Sequence, residues 1–373
     1  MLASRTSILS LYMQITLELF QIFDLLAFTT AFVLGLLFLF KSPKANIYLG
    51  LFLFSLGLEV FQVFCATVTD YNTFSIEISS LVSLPSLVFL LFYVQYNIYG
   101  CVLKKSWILL VIGLVLTILI PAIIGEFDFL LLRMIDYIFN ISIILYVFNM
   151  LFKHQKNVIN YYSELELKTL SWIKTILYIY LGFYVLWITE DIVGLFNQDL
   201  PEIFALISTI ATCALIYWIG YKGMAQPEIF NQTLYKEIST PEVIEEVNID
   251  PSENSVFNEK DELEFTKIKE EIIAKKLYTN PGLNLRTLAI DLEIKEKELS
   301  RIINTKTSFY QLINSFRVAE FKKLIQSPKA AQLSLLGLAH ESGFSSKSTF
   351  YSTFKKLEGM TPKQYEISIK MSE

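Results

Sequence analysis

Seven long apolar stretches precede Lys222, at about 17–40, 45–69, 79–102, 106–125, 129–152, 169–194 and 201–221. Crossing a hydrocarbon core of roughly 30 Å takes about 20 helical residues, so each stretch predicts a transmembrane helix. The first is too long and too poorly flanked for a cleaved signal peptide and is read as a retained helix. The chain is only 18% charged, below the quarter or so usual in soluble domains. A single soluble enzyme domain is therefore excluded.

Lys and Arg are retained on the cytoplasmic side of a membrane, which sets the orientation. Lys41 and Lys44 follow the first stretch, Lys104 and Lys105 the third, Lys153, Lys156 and Lys168 the fifth, and Lys222 the seventh. The alternate connections carry Asp70 and Glu77, Glu126 and Asp128, then Asp199 and Glu202. Only Arg5 dissents. The expected topology is a seven-helix bundle with its N-terminus outside and its C-terminus in the cytoplasm.

Ionisable groups inside the stretches are costly in lipid and mark functional positions or interior pairs. Glu18, Lys174, Glu190 and Asp191 lie near stretch ends, where they can reach the interface. Glu59 lies near mid-span and should face the bundle interior. Arg133 and Asp136 share a helix face and can pair locally. These three, Glu59, Arg133 and Asp136, are the candidate intramembrane sensor residues. Nothing resembles the paired broken helices of a transporter, since only Pro85 and Pro121 interrupt the spans.

The remainder of the chain has a different character. Residues 223–264 carry 2 Lys/Arg against 11 Asp/Glu, and residues 265–373 carry 18 against 11. With Pro227, Pro241 and Pro251, the acidic segment reads as a flexible linker that cannot offset its ordering entropy. Forty such residues would extend roughly 35 Å, which keeps the basic C-terminal residues close to the membrane. An acidic tract can also lie against a basic surface. The organisation expected is thus 1–222 membrane domain, 223–264 linker and 265–373 basic domain. Cys65, Cys101 and Cys213 sit in apolar stretches, and His154 and His340 are far apart. No disulfide framework, no metal and no cofactor is implied.

The basic domain repeats one pattern: a short apolar helix, a tight break, then a helix with one polar face. Leu285, Leu288, Ala289 and Leu292 form the first short helix, with a break at Ile294 and Lys295. The following helix, 296–304, buries Leu299, Ile302 and Ile303 and turns Lys297, Ser300, Arg301 and Asn304 away. In the second copy Leu335, Leu336, Leu338 and Ala339 precede a break at Ser342-Gly343-Phe344, where Gly343 can take the left-handed conformation. Ser345 or Ser346 can cap a helix over 347–357, which buries Phe350 and Phe354 and exposes Lys347, Ser348, Tyr351, Ser352 and Lys355. Two helix-turn-helix units joined by a helix at about 308–325 are the natural outcome of this pattern.

The run Gly343-Phe344-Ser345-Ser346-Lys347-Ser348-Thr349-Phe350, followed by Phe354-Lys355-Lys356, Gly359, Thr361-Pro362 and Tyr365, resembles the signature of AraC/XylS-type transcription regulators. Tyr278, Pro281, Leu288-Ala289 and Leu299-Ser300 resemble the family's first unit, and Asn314, Arg317 and Lys322 its connecting helix. About 100 residues are covered. Many members carry Arg where this chain has Ser352, so base preference does not transfer. The apolar half is similar to that of membrane-embedded members with a multi-span sensor, and the resemblance implies a bacterial host.

Side chains of a recognition helix read base edges in the major groove while basic residues hold phosphates. Lys297 and Arg301 in the first unit, and Lys347, Ser348, Tyr351 and Ser352 in the second, are the expected groove contacts. Lys306, Lys355 and Lys356 are the expected phosphate contacts. His340 is expected to be a packed or helix-end residue. The reading is an all-helical regulator in the cell inner membrane without enzymatic chemistry. Its partners are double-stranded DNA, the lipid bilayer, an unidentified signal and a second copy as homodimer. Two rivals remain open: a transporter carrying a regulatory module, and a protein-interaction module without DNA affinity.

Overall fold

The computed structural model describes residues 19–41, 44–69, 72–124, 129–165, 168–194, 201–225 and 259–372. Arg5, Glu18, the loop acids Asp70, Glu126, Asp128 and Asp199, and most of the acidic linker lie outside the described residues. Among those described, every regular element is a helix. The chain divides into two compact units, Met1–Phe148 with Trp172–Thr240, and Asn149–Ser171 with Pro241–Glu373.

The first unit is built from α1 (Leu19–Phe40), α2 (Ala45–Thr69), α3 (Asn72–Tyr99), α4 (Lys104–Ile124), the first part of α5 (Phe129–Tyr161), α6 (Ser171–Gly194) and α7 (Pro201–Ala225). Among the described residues, Gln21–Phe40, Ala45–Cys65, Arg133–Tyr161 and Ser171–Val193 are long and apolar enough to cross a membrane. Their outer faces are apolar too. Phe32 and Leu37 on α1, Ile108 and Val111 on α4, Ile138 and Leu145 on α5, and Val185 on α6 are all exposed. A helix apolar on every side needs lipid or protein around it.

Close approach holds α1 against α2. A Cβ on Gly50 would lie 2.8 Å from the carbonyl oxygen of Gly35, so only glycine allows these backbones to touch. Small residues at such crossings let two backbones come into van der Waals contact. α1 also packs on α7. Lys41, just past the end of α1, donates to the carbonyls of Gly223 (3.2 Å) and Met224 (2.7 Å), two of the last carbonyls of α7.

In the second unit, α8 (Glu259–Ala274) leads through a 3-10 turn, Leu277–Thr279, to α9 (Leu285–Asp291) and α10 (Glu296–Asn304). α11 (Phe309–Ile325) then connects to α12 (Leu335–Glu341), α13 (Lys347–Glu358) and α14 (Pro362–Ser372). Helix α8 starts at Glu259, so the last acidic residues before 265 are helical. The last part of α5 and the connection to α6 also belong to this unit. Helix α5 runs nine residues past the expected end at 152, through Lys153, His154 and Lys156. The extension is not a solvated polar loop, because His154, Val158 and Tyr161 recur at helical spacing and are buried on one face. His154 is buried and its Nε2 lies 2.8 Å from the carbonyl oxygen of Lys168.

The core of the C-terminal half is one cluster. Val318, Phe321 and Ile325 of α11 meet Leu338, Ala339, Phe344, Phe350 and Phe354. The rings of Phe321 and Phe350 are 4.7 Å apart, and those of Phe354 and Tyr365 are 5.4 Å apart. Around α9 and α10, Leu285, Leu288, Leu299, Ile302 and Ile303 are buried with Phe309 and Ile313 of α11. Helix α11 is thus shared by both halves.

Candidate nucleic-acid interface

Two helix pairs, α9–α10 and α12–α13, present the faces expected to meet DNA. Each begins on a side-chain cap. Asn284 accepts from the backbone N–H of Thr287 while Thr287 Oγ1 accepts from that of Asn284, a reciprocal capping box. Ser334 caps α12 through the N–H of Gly337 at 3.2 Å.

Each break uses a left-handed residue. In the first pair it is Glu293, with φ of 57°. In the second it is Gly343, with φ of 98°, as the sequence pattern predicts. Here glycine is needed twice over, since a Cβ would lie 2.4 Å from the carbonyl oxygen of Tyr278. That carbonyl is itself held by Arg317 Nε at 2.8 Å.

Helix α10 buries Leu299, Ile302 and Ile303 and exposes Lys297, Arg301 and Asn304, with Ser300 half-buried. Arg301 forks onto the carboxylate of Asp261 at 2.9 and 3.2 Å, and this pairing raises the guanidinium pKa. Lys306, just beyond α10, reaches Glu262 at 3.0 Å. Two of the expected DNA contacts therefore carry acidic partners from α8.

Helix α13 is capped by Ser346, whose Oγ accepts from the N–H of Thr349 at 3.2 Å. It buries Thr349, Phe350, Thr353 and Phe354 and exposes Lys347, Ser348, Ser352, Lys355 and Lys356. Tyr351, expected on the exposed face, is half-buried edge-on against Phe350, at 5.3 Å between centroids. Lys347 Nζ stands 5.7 Å from the Tyr351 ring. Ser352 is exposed, but its hydroxyl donates back to the Thr349 carbonyl at 3.1 Å. His340 is exposed in the last turn of α12, where a ring N–H can meet terminal carbonyls.

Arg317 of α11 is fully buried. It donates to the carbonyls of Tyr278 and Asn280 at 2.8 Å each, to Asn314 Oδ1 at 3.2 Å and to Ser163 Oγ at 3.2 Å. Burial lowers its pKa to about 10. Ser163 lies in the α5–α6 connection and is also buried. Its hydroxyl donates to the Leu283 carbonyl at 2.6 Å, and its own carbonyl accepts from Asn314 Nδ2 at 2.9 Å. Beside it Tyr162 forms an antiparallel bridge with Asn284. The carboxylate of Glu164 accepts from the hydroxyls of Ser345, Ser346 (3.0 Å) and Thr349, around the N-terminus of α13. Sequence reasoning missed these partners, because a loop Ser-Glu pair carries no pattern of its own.

Among the candidate sensor residues, Arg133 forms an ion pair with Asp191 of α6. Tyr137 Oη donates to the same carboxylate at 2.7 Å. Asp191, expected to reach for the interface, is thus taken up by α5. Asp136 accepts from Asn140 Nδ2 at 2.9 Å. Glu59 lies in α2 and is half-buried.

Residues 288–366 match a family described as a helix-turn-helix domain. The matched segment runs from α9 to α14 and takes in both helix pairs and the helix between them. No curated protein and no solved structure matches the chain.

Proposed function

We propose that the chain is a membrane-tethered, sequence-specific DNA-binding transcription regulator of the AraC/XylS type. The observation that carries this reading is the helix-turn-helix match over 288–366, in a chain whose first half holds several helices apolar enough to cross a bilayer. The two helix pairs act as two helix-turn-helix units around α11. Their second helices enter successive major grooves, one helical turn or roughly 34 Å apart. Lys297, Arg301, Lys347 and Ser348 reach base edges, while Lys306, Lys355 and Lys356 hold phosphates.

The apolar half forms seven spans in the cell inner membrane, with the N-terminus outside and the basic domain in the cytoplasm. Its positively charged connections support that orientation. It senses a cue through residues such as Glu59, Arg133 and Asp136, and a second copy completes the DNA-binding assembly. No catalytic step is assigned to the chain.

The test is a genome-wide DNA-fragment selection with residues 257–373, their helicity checked by circular dichroism. The expected result is enrichment of a motif with two half-elements one helical turn apart, weakening steeply as salt rises. A helical fragment that binds no DNA at low salt would overturn the reading.

A further inference from the structure

We propose that the connection between α5 and α6 is a built-in competitor of DNA for the second helix pair, with Glu164 standing where a backbone phosphate would bind. The proposal rests on the DNA-binding reading and adds its regulation. The N-terminus of a recognition helix faces the groove and the flanking phosphates. It is also the end of a helix that attracts anions, because its first N–H groups lack partners and the helix dipole is positive there. In α13 that end is surrounded by the hydroxyls of Ser345, Ser346 and Thr349, and all three donate to the Glu164 carboxylate. A phosphate needs the same donors, and two anions cannot share them. A carboxylate left at this point would also repel the DNA backbone.

Glu164 does not reach this place as a loose side chain. Tyr162 bridges to Asn284, and Ser163 is buried between Leu283, Asn314 and Arg317. These contacts join the connection to the first helix pair and to the helix between the pairs, since Leu283 and Asn284 lead into α9 while Arg317 and Asn314 belong to α11. Arg317 is a buried cation with only polar neutral acceptors within hydrogen-bond reach among the described residues. The nearby Glu164 charge supports its ionised form. The first pair is covered in the same manner, with Asp261 and Glu262 on Arg301 and Lys306.

The consequence is mechanical. The docked segment lies between the end of α5 at Tyr161 and the start of α6 at Ser171. A cue that moves either helix pulls on the competitor directly. Because the segment is part of the same chain, its effective concentration is high, and a modest contact suffices to hold DNA off.

The experiment uses the full chain in lipid nanodiscs and a fluorescein-labelled duplex of random sequence, titrated by anisotropy at low and at physiological salt. Glu164→Ala removes the carboxylate without altering any residue expected to touch DNA. It is expected to bind at least about tenfold more tightly than the wild type, since three charge-assisted hydrogen bonds are lost and one alone is worth about that factor. Ser163→Leu expels the same segment by bulk and is expected to act in the same direction. Tightening by both variants, or by Glu164→Ala alone, supports the proposal. Parity of both with a wild type that binds DNA overturns it and leaves the DNA-binding reading intact, and tightening by Ser163→Leu alone overturns the role of Glu164. Absence of binding by all three at low salt overturns the DNA-binding reading and this proposal with it.

Discussion

Replacing Gly343 by alanine tests the most constrained point of the second helix pair. At φ of 98° an L-residue costs about 1–2 kcal/mol in backbone strain. The added methyl would also stand 2.4 Å from the Tyr278 carbonyl oxygen and 2.8 Å from the Cα of Thr279. Neither is the end of a flexible side chain, and the carbonyl is pinned by Arg317. Forced overpacking of this kind adds about 1–3 kcal/mol. The total is about 2–5 kcal/mol, which corresponds to an open population about 30- to 4,000-fold larger. Gly359 supplies the control. Its φ is 73°, but nothing lies within 4 Å of its missing Cβ. Gly359→Ala should therefore cost only the strain, about 5- to 30-fold. Hydrogen exchange of the α12 and α13 amides in the full chain, read by mass spectrometry, reports these openings. If the two variants accelerate exchange equally, the break does not press against the Tyr278 carbonyl and the reasoning fails.

Three further outcomes are expected. Ser346→Ala should destabilise α13 by about 1 kcal/mol through loss of its cap, seen as faster exchange confined to the first turn of that helix. Gly50→Ala should lower the thermal midpoint of the detergent-solubilised chain, because its methyl meets the Gly35 carbonyl at 2.8 Å. Gly182→Ala, with nothing within 4 Å, should leave the midpoint unchanged or raise it. Lys355→Ala should weaken DNA binding on every sequence and reduce the slope of log K against log salt by about 0.9. An unchanged slope would remove Lys355 from the phosphate contacts.

Much of the architecture was legible in the residues. Seven helices lie where the apolar stretches predict them, although the bounds moved: α3 begins at Asn72 rather than about 79, and α5 continues to Tyr161. Hydropathy locates lipid-compatible residues, but a helix ends where its backbone bonding ends, and polar residues extend it readily. In the basic domain the pattern of apolar positions placed α10, α11 and α13 to within a residue or two, and of the two serines offered as the cap of α13 the structure uses Ser346. Those features depend on spacings of three or four residues, which a sequence displays directly. The left-handed residue of the first break proved to be Glu293, one position before the break expected at Ile294 and Lys295.

The partners of the charged groups were not legible. Arg133 takes Asp191 from α6, Arg301 takes Asp261 and Lys306 takes Glu262. A carboxylate's own sequence neighbourhood does not mark which cation it meets, because each of these partners comes from a distant segment of the chain. Which amino acids are apolar, and at what period, determined from sequence alone that this chain holds lipid-compatible helices followed by a helical basic domain. Only the tertiary structure decided that Glu164 meets Thr349, 185 residues away. Periodicity records how a segment packs against its own neighbourhood, whereas a contact between distant segments exists only once the intervening chain has folded.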